Sequence, residues 1–226
     1  MRLKQYLNEL SSMYGKGITF IDIDESIFHT MARIFVINDK TGKIVKKLSN
    51  QEFNTYKLEK GFSYDFREFR DSAFFQRTSK PIPQTINRIK RMFKNIDVRG
   101  SKVVLLTARE TFPSMKEFKD TFRKQGIPID KIEIKFAGDI QKSAGSISAA
   151  KKKIVMEYVK TGAYRRVRLV DDDLTNLKKF LSIENEIPDE VLDKVKKKHH
   201  IEGEESIPPI QFFGLLVNQD GSLKKV

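Results

Sequence analysis

The chain has 226 residues, of which 39% are hydrophobic and 32% charged, and its 17 Phe residues supply enough apolar bulk for a packed core. This composition excludes general disorder, and the absence of Cys excludes disulfides, Cys-ligated zinc and thiol catalysis. The net charge of +13 favours polyanionic partners through long-range attraction, although runs such as 151–153, 165–168 and 194–198 are also typical of solvated helix faces.

The first ten residues space Leu3, Leu7 and Leu10 as one face of a helix. This segment lacks the uninterrupted apolar stretch of a signal peptide, and no later segment reaches the length of a membrane-spanning helix. We therefore expect a cytoplasmic protein with no part in a membrane.

Four short apolar runs alternate with segments of helical spacing further along the chain. The runs cover residues 18–21, 103–106, 132–136 and 167–170, and the helical segments include 86–93 and 154–159. Strands that alternate with helices form parallel sheets with helices on both faces. We therefore predict an α/β fold with a Rossmann-like three-layer parallel sheet, which a strand at 210–217, a turn at 218–221 and residues 222–226 close.

Residues 29–83 break this alternation. Residues 32–38 and 43–48 predict a β-hairpin around a turn that contains Gly42, and Pro81 and Pro83 hold the returning chain extended. We therefore expect a core formed by residues 1–28 and 84–226, with a small cap inserted at 29–83.

Aromatic and Arg residues alternate in the second half of this insertion. Such a segment can form a stacking platform for nucleic-acid bases, or it can be an amphipathic helix that packs its Phe side chains under the cap. The sequence leaves both readings open for Phe62, Tyr64, Phe66, Arg67, Phe69, Arg70, Phe74, Phe75 and Arg77.

Carboxylates follow two of the apolar runs at the edge where open α/β sheets bind ligands. Asp22 and Asp24 come after the first run, and Asp171, Asp172 and Asp173 come after the fourth. Such residues also occur as helix caps or in solvated turns. An acidic cluster at the end of buried strands in a basic protein is better explained by a bound cation, and Mg²⁺ takes oxygen ligands of this kind.

Two further features point to an anion at the same edge. Thr107 ends the second apolar run with a hydroxyl group that can bind a phosphoryl oxygen. Lys151, Lys152 and Lys153 precede the apolar pair of the next helix, and a Lys at a helix start opposes the macrodipole unless an anion lies nearby.

Together these residues resemble the four signature motifs of the haloacid dehalogenase-like superfamily, in the form found in its Asp-x-Asp-x-Thr phosphatases. The matching segments are Asp22-Ile-Asp24-Glu-Ser26, Thr107, a Lys before a helix, and Asp171-Asp172 followed by Asn176, in the family's order. Ser26 stands where Thr is commoner and keeps the hydroxyl group. The resemblance spans residues 18–177.

The resemblance implies a role for each matching residue. Asp22 would attack phosphorus, and Asp24 would act first as acid and then as base. Mg²⁺ would be held by Asp22, the Asp24 backbone carbonyl and Asp172, with Asp171 adjacent and Asn176 supporting. Thr107 and Lys151 would grip the phosphoryl group, with Lys152 and Lys153 as alternatives to Lys151. We assign Ser26, Arg109, Arg67 and Arg70 to substrate binding.

The sequence therefore predicts a Mg²⁺-dependent phosphomonoester phosphatase with an aspartyl-phosphate intermediate. The charge favours nucleotides or nucleic-acid phosphate ends as substrates. The alternatives are a sugar phosphate or another small metabolite, phosphotransfer to an acceptor other than water, and a non-catalytic nucleic-acid-binding protein. The three histidines, His29, His199 and His200, fall in no motif and receive no role.

Overall fold

The computed structural model describes residues 16–201 and 208–226, so the helix predicted from Leu3, Leu7 and Leu10 lies outside the described residues. The strands are β1 (Gly17–Ile21), β2 (Phe28–His29), β3 (Ile34–Asn38), β4 (Ile44–Leu48), β5 (Phe62–Asp65), β6 (Lys80–Pro81), β7 (Lys102–Thr107), β8 (Glu133–Phe136), β9 (Arg166–Asp171), β10 (Gln211–Val217) and β11 (Leu223–Lys225). The helices are α1 (Asn50–Thr55), α2 (Ser72–Thr78), α3 (Pro83–Arg99), α4 (Lys116–Lys124), α5 (Gln141–Ala144), α6 (Ile147–Val159), α7 (Leu174–Leu181) and α8 (Asp189–Lys198).

A six-stranded sheet in the order β11-β10-β9-β1-β7-β8 forms the centre of the molecule. All neighbouring pairs are parallel except β10 and β11, which are antiparallel. The predicted α/β class and the mostly parallel sheet are therefore confirmed, and each predicted strand agrees with an observed one within about two residues. Helical connections between the parallel strands place the ends of β1 and β9 side by side.

Helices cover both faces of this sheet, which gives three layers. Alternate side chains of β1 and β7 enter two different apolar clusters, because successive residues of a strand point to opposite faces. Helices α6, α7 and α8 contribute to one cluster, and α3 and α4 to the other. The helices therefore shield both faces of the central strands from solvent, and all five residues of β1 are buried.

The insertion leaves and rejoins the core through the short antiparallel pair of β2 and β6. Between them, β4, β3 and β5 form a separate antiparallel sheet with a small apolar cluster of its own. The predicted hairpin is confirmed as β3 and β4. Its turn is closed by the Asn38 side chain, which accepts hydrogen bonds from the backbone N–H groups of Lys40 and Thr41, and by Gly42 at a φ of 65°.

The end of the insertion is anchored in the core of the main domain. Phe75 of α2 is fully buried among Phe28, Phe118 and Phe122, with ring centroids 5.2 Å from Phe118 and 5.6 Å from Phe28. Truncating a buried Phe to Ala costs about 3–5 kcal/mol. Phe75 therefore fixes α2 to the core, although the residue lies inside the inserted segment.

Two local predictions are wrong. Residues 62–77 do not form one amphipathic helix but β5, a 3₁₀ turn at Arg67–Arg70 and α2, because Asp65 and Asp71 bind the backbone N–H groups of Arg67 and Phe74 and so start new turns. Lys151 does not open its helix. Ser146 caps α6 by accepting from the Ala149 N–H group at 3.1 Å, which places Lys151 in the second turn and removes the macrodipole argument.

Candidate active site

Three carboxylates meet at the carboxyl ends of the two central strands. Asp22 directly follows β1, and its N–H group donates to the Val170 carbonyl of β9 at 2.8 Å. This register sets Asp22 beside Asp171, and Asp172 follows at once. Asp22, Asp171 and Asp172 each offer an oxygen within 4.8 Å of the others. The structure therefore brings together the two acidic segments that are about 150 positions apart in the sequence.

Lys151 bridges the two buried members of this cluster. Its Nζ donates to Asp22 Oδ1 at 2.6 Å and to Asp171 Oδ2 at 2.7 Å, and the residue is only 2% exposed. Lys152 instead bonds to Ser182 and pairs with Glu186 at the surface, and Lys153 is exposed. Of the three Lys residues considered from the sequence, Lys151 is the one that reaches the carboxylates.

Asp171 is held on both of its oxygens. Besides Lys151, it accepts hydrogen bonds from the Asn176 side chain at 3.0 and 3.2 Å and from the Asp173 N–H group at 2.9 Å. Asp173 is also the N-cap of α7, where it accepts from the Thr175 N–H group. Because its lone pairs are engaged by these donors, Asp171 acts mainly to orient Lys151 and Asn176, whereas Asp22 and Asp172 carry fewer bonds.

The cluster carries more negative charge than its buried setting tolerates. Burial raises the pKa of Asp22 well above its ordinary value, and the neighbouring carboxylates add to the rise while Lys151 opposes it. Burial and the charge of Asp171 raise the pKa of Asp172 to about 7. Burial alone would lower the pKa of Lys151, but Asp171 and Asp22 outweigh that effect and raise it. One ammonium group therefore does not balance the three carboxylates.

The donor set of this cluster fits a hard divalent cation. All three candidate ligands are carboxylate oxygens, and no nitrogen or sulfur ligand joins them in the part of the chain that the structure describes. Mg²⁺ and Ca²⁺ bind through such oxygens, whereas zinc and copper sites commonly include imidazole or thiolate ligands. The raised pKa of Asp172 agrees with a site that needs a second positive charge.

Asp24 has a partner that the sequence did not suggest. Arg109 donates to both Asp24 oxygens, at 2.9 Å from Nε and 2.7 Å from Nη2. The Arg109 side chain is fully buried in this pairing. Most donors of Arg109 are therefore engaged within the protein, and the residue also lines the cavity, so its assignment to substrate binding stays a prediction.

Two predicted hydroxyl contacts do not reach the cavity. Thr107 is fully buried at the end of β7, and its Oγ1 accepts from the Arg109 N–H group at 3.1 Å. Ser26 is also fully buried, and its Oγ has no hydrogen-bond partner among the described residues. Neither side chain lines the cavity that holds the carboxylates. The substrate contact predicted for Ser26 and the phosphoryl contact predicted for Thr107 therefore stay predictions without support from this geometry, and Thr107 binds the backbone of the loop that carries Arg109.

Of the two predicted Arg contacts in the insertion, only Arg70 borders the cavity. Arg70 pairs with Glu110 at 2.9 Å at the cavity wall. Arg67 pairs with Asp65, lies over the Phe35 ring and does not line the cavity, so the geometry gives its assignment to substrate binding no support and the assignment stays a prediction. His29, His199 and His200 do not line the cavity either.

The cavity lies between the sheet edge and the insertion and has a volume of about 480 Å³. Its floor is the part lined by the carboxylates and Lys151, and its aromatic wall is the part lined by partly exposed Phe rings of the insertion. Several other lining residues carry no motif, because they come from strand β3, from α1 and from the loops and starts of α5, α6 and α7. They include Ile34, Asn50, Phe53, Gln141, Ser146, Ser148 and Thr175.

Two comparisons with known proteins found no match. No protein-family model matches the chain, and no curated protein matches it. Among the described residues, no helix is long and apolar enough to cross a membrane.

Proposed function

We propose that this protein is a Mg²⁺-dependent phosphomonoester phosphatase of the haloacid dehalogenase-like class, with Asp22 as the nucleophile. The observation that carries the proposal is the contact of Lys151 with both Asp22 and Asp171, beside Asp172, at the floor of a cavity. Two carboxylates from different strands and a buried Lys suit a dianionic phosphoryl group and its metal ion. The order of the motifs along the chain supports the same class.

In the first step, an oxygen of Asp22 attacks phosphorus. The bond from phosphorus to the ester oxygen breaks, an aspartyl-phosphate forms, and the leaving oxygen takes a proton from Asp24. Lys151 binds Asp22 through Oδ1, which leaves the second oxygen for the attack. Because Asp171 holds the other side of this ammonium group, Lys151 keeps the nucleophile in one orientation.

In the second step, water attacks the phosphorus of the aspartyl-phosphate. Asp24 takes a proton from the water, the bond to Asp22 breaks, and inorganic phosphate leaves. Asp22 and Asp172 would hold the cation, together with the backbone carbonyl of Asp24. When bound, Mg²⁺ offsets negative charge on the phosphoryl oxygens.

The support for a nucleotide or a nucleic-acid phosphate end as the substrate comes from the aromatic wall of the cavity. Phe53, Phe66 and Phe69 are each partly exposed there, and Arg70 adds a cation at their edge. Base–aromatic stacking contributes about 1–3 kcal/mol per base, and it tolerates any base because every base has a π-face. A sugar phosphate has no planar group to use this wall, so it is the second candidate.

Hydrolysis of 4-nitrophenyl phosphate in Mg²⁺ tests the proposal. The wild-type protein should release phosphate, EDTA should stop the reaction, and Asp22→Asn should abolish turnover without loss of the folded state. Asp193→Asn on the exposed face of α8 is the matched control and should keep wild-type activity. No turnover of aryl, nucleotide or sugar phosphates, together with binding of oligonucleotides, would favour a non-catalytic nucleic-acid-binding protein instead.

A further inference from the structure

Arg109 joins three parts of the molecule through a guanidinium group that is fully removed from solvent. Besides its two bonds to Asp24, Nη1 donates to the Phe69 carbonyl at 2.9 Å, and Nη2 donates to Thr30 Oγ1 at 3.2 Å. Phe69 and Thr30 belong to the insertion. Four of the five N–H groups of this side chain are therefore used within the protein.

Aromatic rings and a tight backbone contact hold this side chain in place. The guanidinium carbon lies 4.7 Å from the centroid of Phe69, 4.8 Å from Phe75 and 5.7 Å from Phe112. Below it, the Gly138 N–H group donates to the Arg109 carbonyl, and a Cβ atom at Gly138 would lie 2.6 Å from the Ala108 carbonyl oxygen. The backbone of the loop after β7 thus packs so closely on the turn after β8 that only glycine fits at position 138, and this contact holds the backbone of Arg109 in place.

A buried guanidinium group is costly unless a carboxylate pairs with it, and Asp24 is the carboxylate that does so here. The pairing is bidentate, so it fixes the plane of the Asp24 carboxylate as well as its distance. The same guanidinium group binds the backbone of the insertion. Arg109 therefore contributes both to the orientation of Asp24 and to the docking of the insertion.

We infer that Arg109 is a positioning residue that aims Asp24 and couples its orientation to docking of the insertion over the cavity. The inference rests on the proposed function, in which Asp24 transfers the proton. Both Asp24 oxygens accept from Arg109, so to act as an acid Asp24 must turn one oxygen toward the substrate, take up a proton there from solvent and pass that proton to the leaving oxygen. One of the two Arg109 bonds opens in that step, and the other keeps the carboxyl group in place.

The experiment compares a good and a poor leaving group. 4-Nitrophenol leaves without much help from an acid, whereas the alkoxide of glycerol phosphate needs a proton, and general acid catalysis contributes about 10²–10⁴-fold. Asp24→Asn should therefore lower kcat on glycerol phosphate at least tenfold more than on 4-nitrophenyl phosphate. Arg109→Gln should give the same selective loss, and Arg109→Lys should restore part of it. The double variant should be no slower on glycerol phosphate than Asp24→Asn alone, because both changes remove one function.

A purely structural role predicts another pattern. Arg109→Gln would then slow both substrates equally, and its effect would multiply with that of Asp24→Asn, which would overturn the inference. Thr30→Val removes one Arg109 contact with little change of shape, so it serves if Arg109→Gln does not fold. It should show a smaller loss with the same selectivity. The control is Arg123→Gln on α4, which breaks an exposed bidentate pair with Asp130 and should not alter the ratio of the two rates.

Thermal unfolding gives a readout that does not depend on turnover. The Tm losses of Asp24→Asn and Arg109→Gln should be strongly non-additive in the double variant, because the two groups form one buried bidentate pair. Additive losses would contradict the coupling. If the wild-type protein hydrolyses no ester and the Tm losses are still non-additive, the proposed function fails while the Arg109–Asp24 coupling stands.

Discussion

Removing the ammonium group of Lys151 should lower the stability of the folded protein in the absence of metal. Lys151 places one buried ammonium group between two buried carboxylates, at 2.6 Å from Asp22 and 2.7 Å from Asp171. Lys151→Met keeps the length and removes the charge, so both carboxylates remain buried without their cation. Removing one partner of a buried ion pair costs about 3–5 kcal/mol. For a protein of this size, each 1 kcal/mol lowers Tm by about 2–4 °C, so we expect a loss of about 6–20 °C in metal-free buffer.

The assay is thermal and guanidinium chloride unfolding in EDTA, repeated in excess Mg²⁺. The metal should recover part of the loss, because it supplies positive charge to the same carboxylates. Lys152→Met is the matched control, since Lys152 lies next in α6 but pairs with Glu186, whose side chain is half exposed. Exposed pairs contribute about 0.2–1 kcal/mol, so this variant should stay close to the wild type. Equal stability of the wild type and Lys151→Met in EDTA would refute the role given to Lys151.

Three further predictions concern the metal, the pH and the substrate. EDTA should silence turnover, and Mg²⁺ should restore it better than Ca²⁺, whose larger and looser coordination shell misplaces the attacking carboxylate; full activity in chelator contradicts this. The pKa of Asp172 is raised to about 7 in the folded protein from its ordinary value of 3.8, so between these values the folded state holds a proton on Asp172 that the unfolded state has lost. The free energy of unfolding should therefore decrease as the pH rises from about 4 through about 7. In EDTA, the Tm of the wild type should fall relative to that of Asp172→Asn across this window, and a constant difference would count against the shift. On a phosphorylated oligonucleotide, log(kcat/KM) should fall with log[salt] with a slope near −0.7 per phosphate contacted. Arg70→Gln should flatten this slope more than Arg77→Gln, because Arg77 does not line the cavity. Equal slopes for the two variants would favour a small metabolite as the substrate.

The sequence predicts the parts of this site that follow from strand ends. Asp22 and Asp171 could be placed together because parallel neighbouring strands bring their carboxyl ends to one edge, and this relation is visible in two apolar runs that end in Asp. The resemblance favours Lys151 over Lys152 and Lys153, and Lys151 is the residue that contacts Asp22 and Asp171. The position of Lys151 in the second turn of α6 could not be predicted, because the run of Lys residues indicates a helix start there, whereas Ser146 caps the helix five residues before Lys151.

The contacts between the insertion and the core have no local signal in the sequence. Arg109 and Asp24 are separated by 85 positions, and nothing near either residue indicates that one will bury the other. Asp65 and Asp71 divide the aromatic segment into three short elements, which its spacing alone did not reveal. Side-chain direction in loops depends on tertiary packing, so the cavity wall required the structure.

The central claim is that Asp22 becomes phosphorylated, and acid quenching during turnover of a slow substrate tests it directly. Peptide mass spectrometry of the quenched protein should find one phosphoryl group, located on Asp22, and hydroxylamine should remove it because an acyl phosphate is labile to that nucleophile. The adduct should accumulate in Asp24→Asn, in which attack by water is slowed. Turnover by Asp22→Asn, or a phosphoryl group on another residue, would contradict the claim.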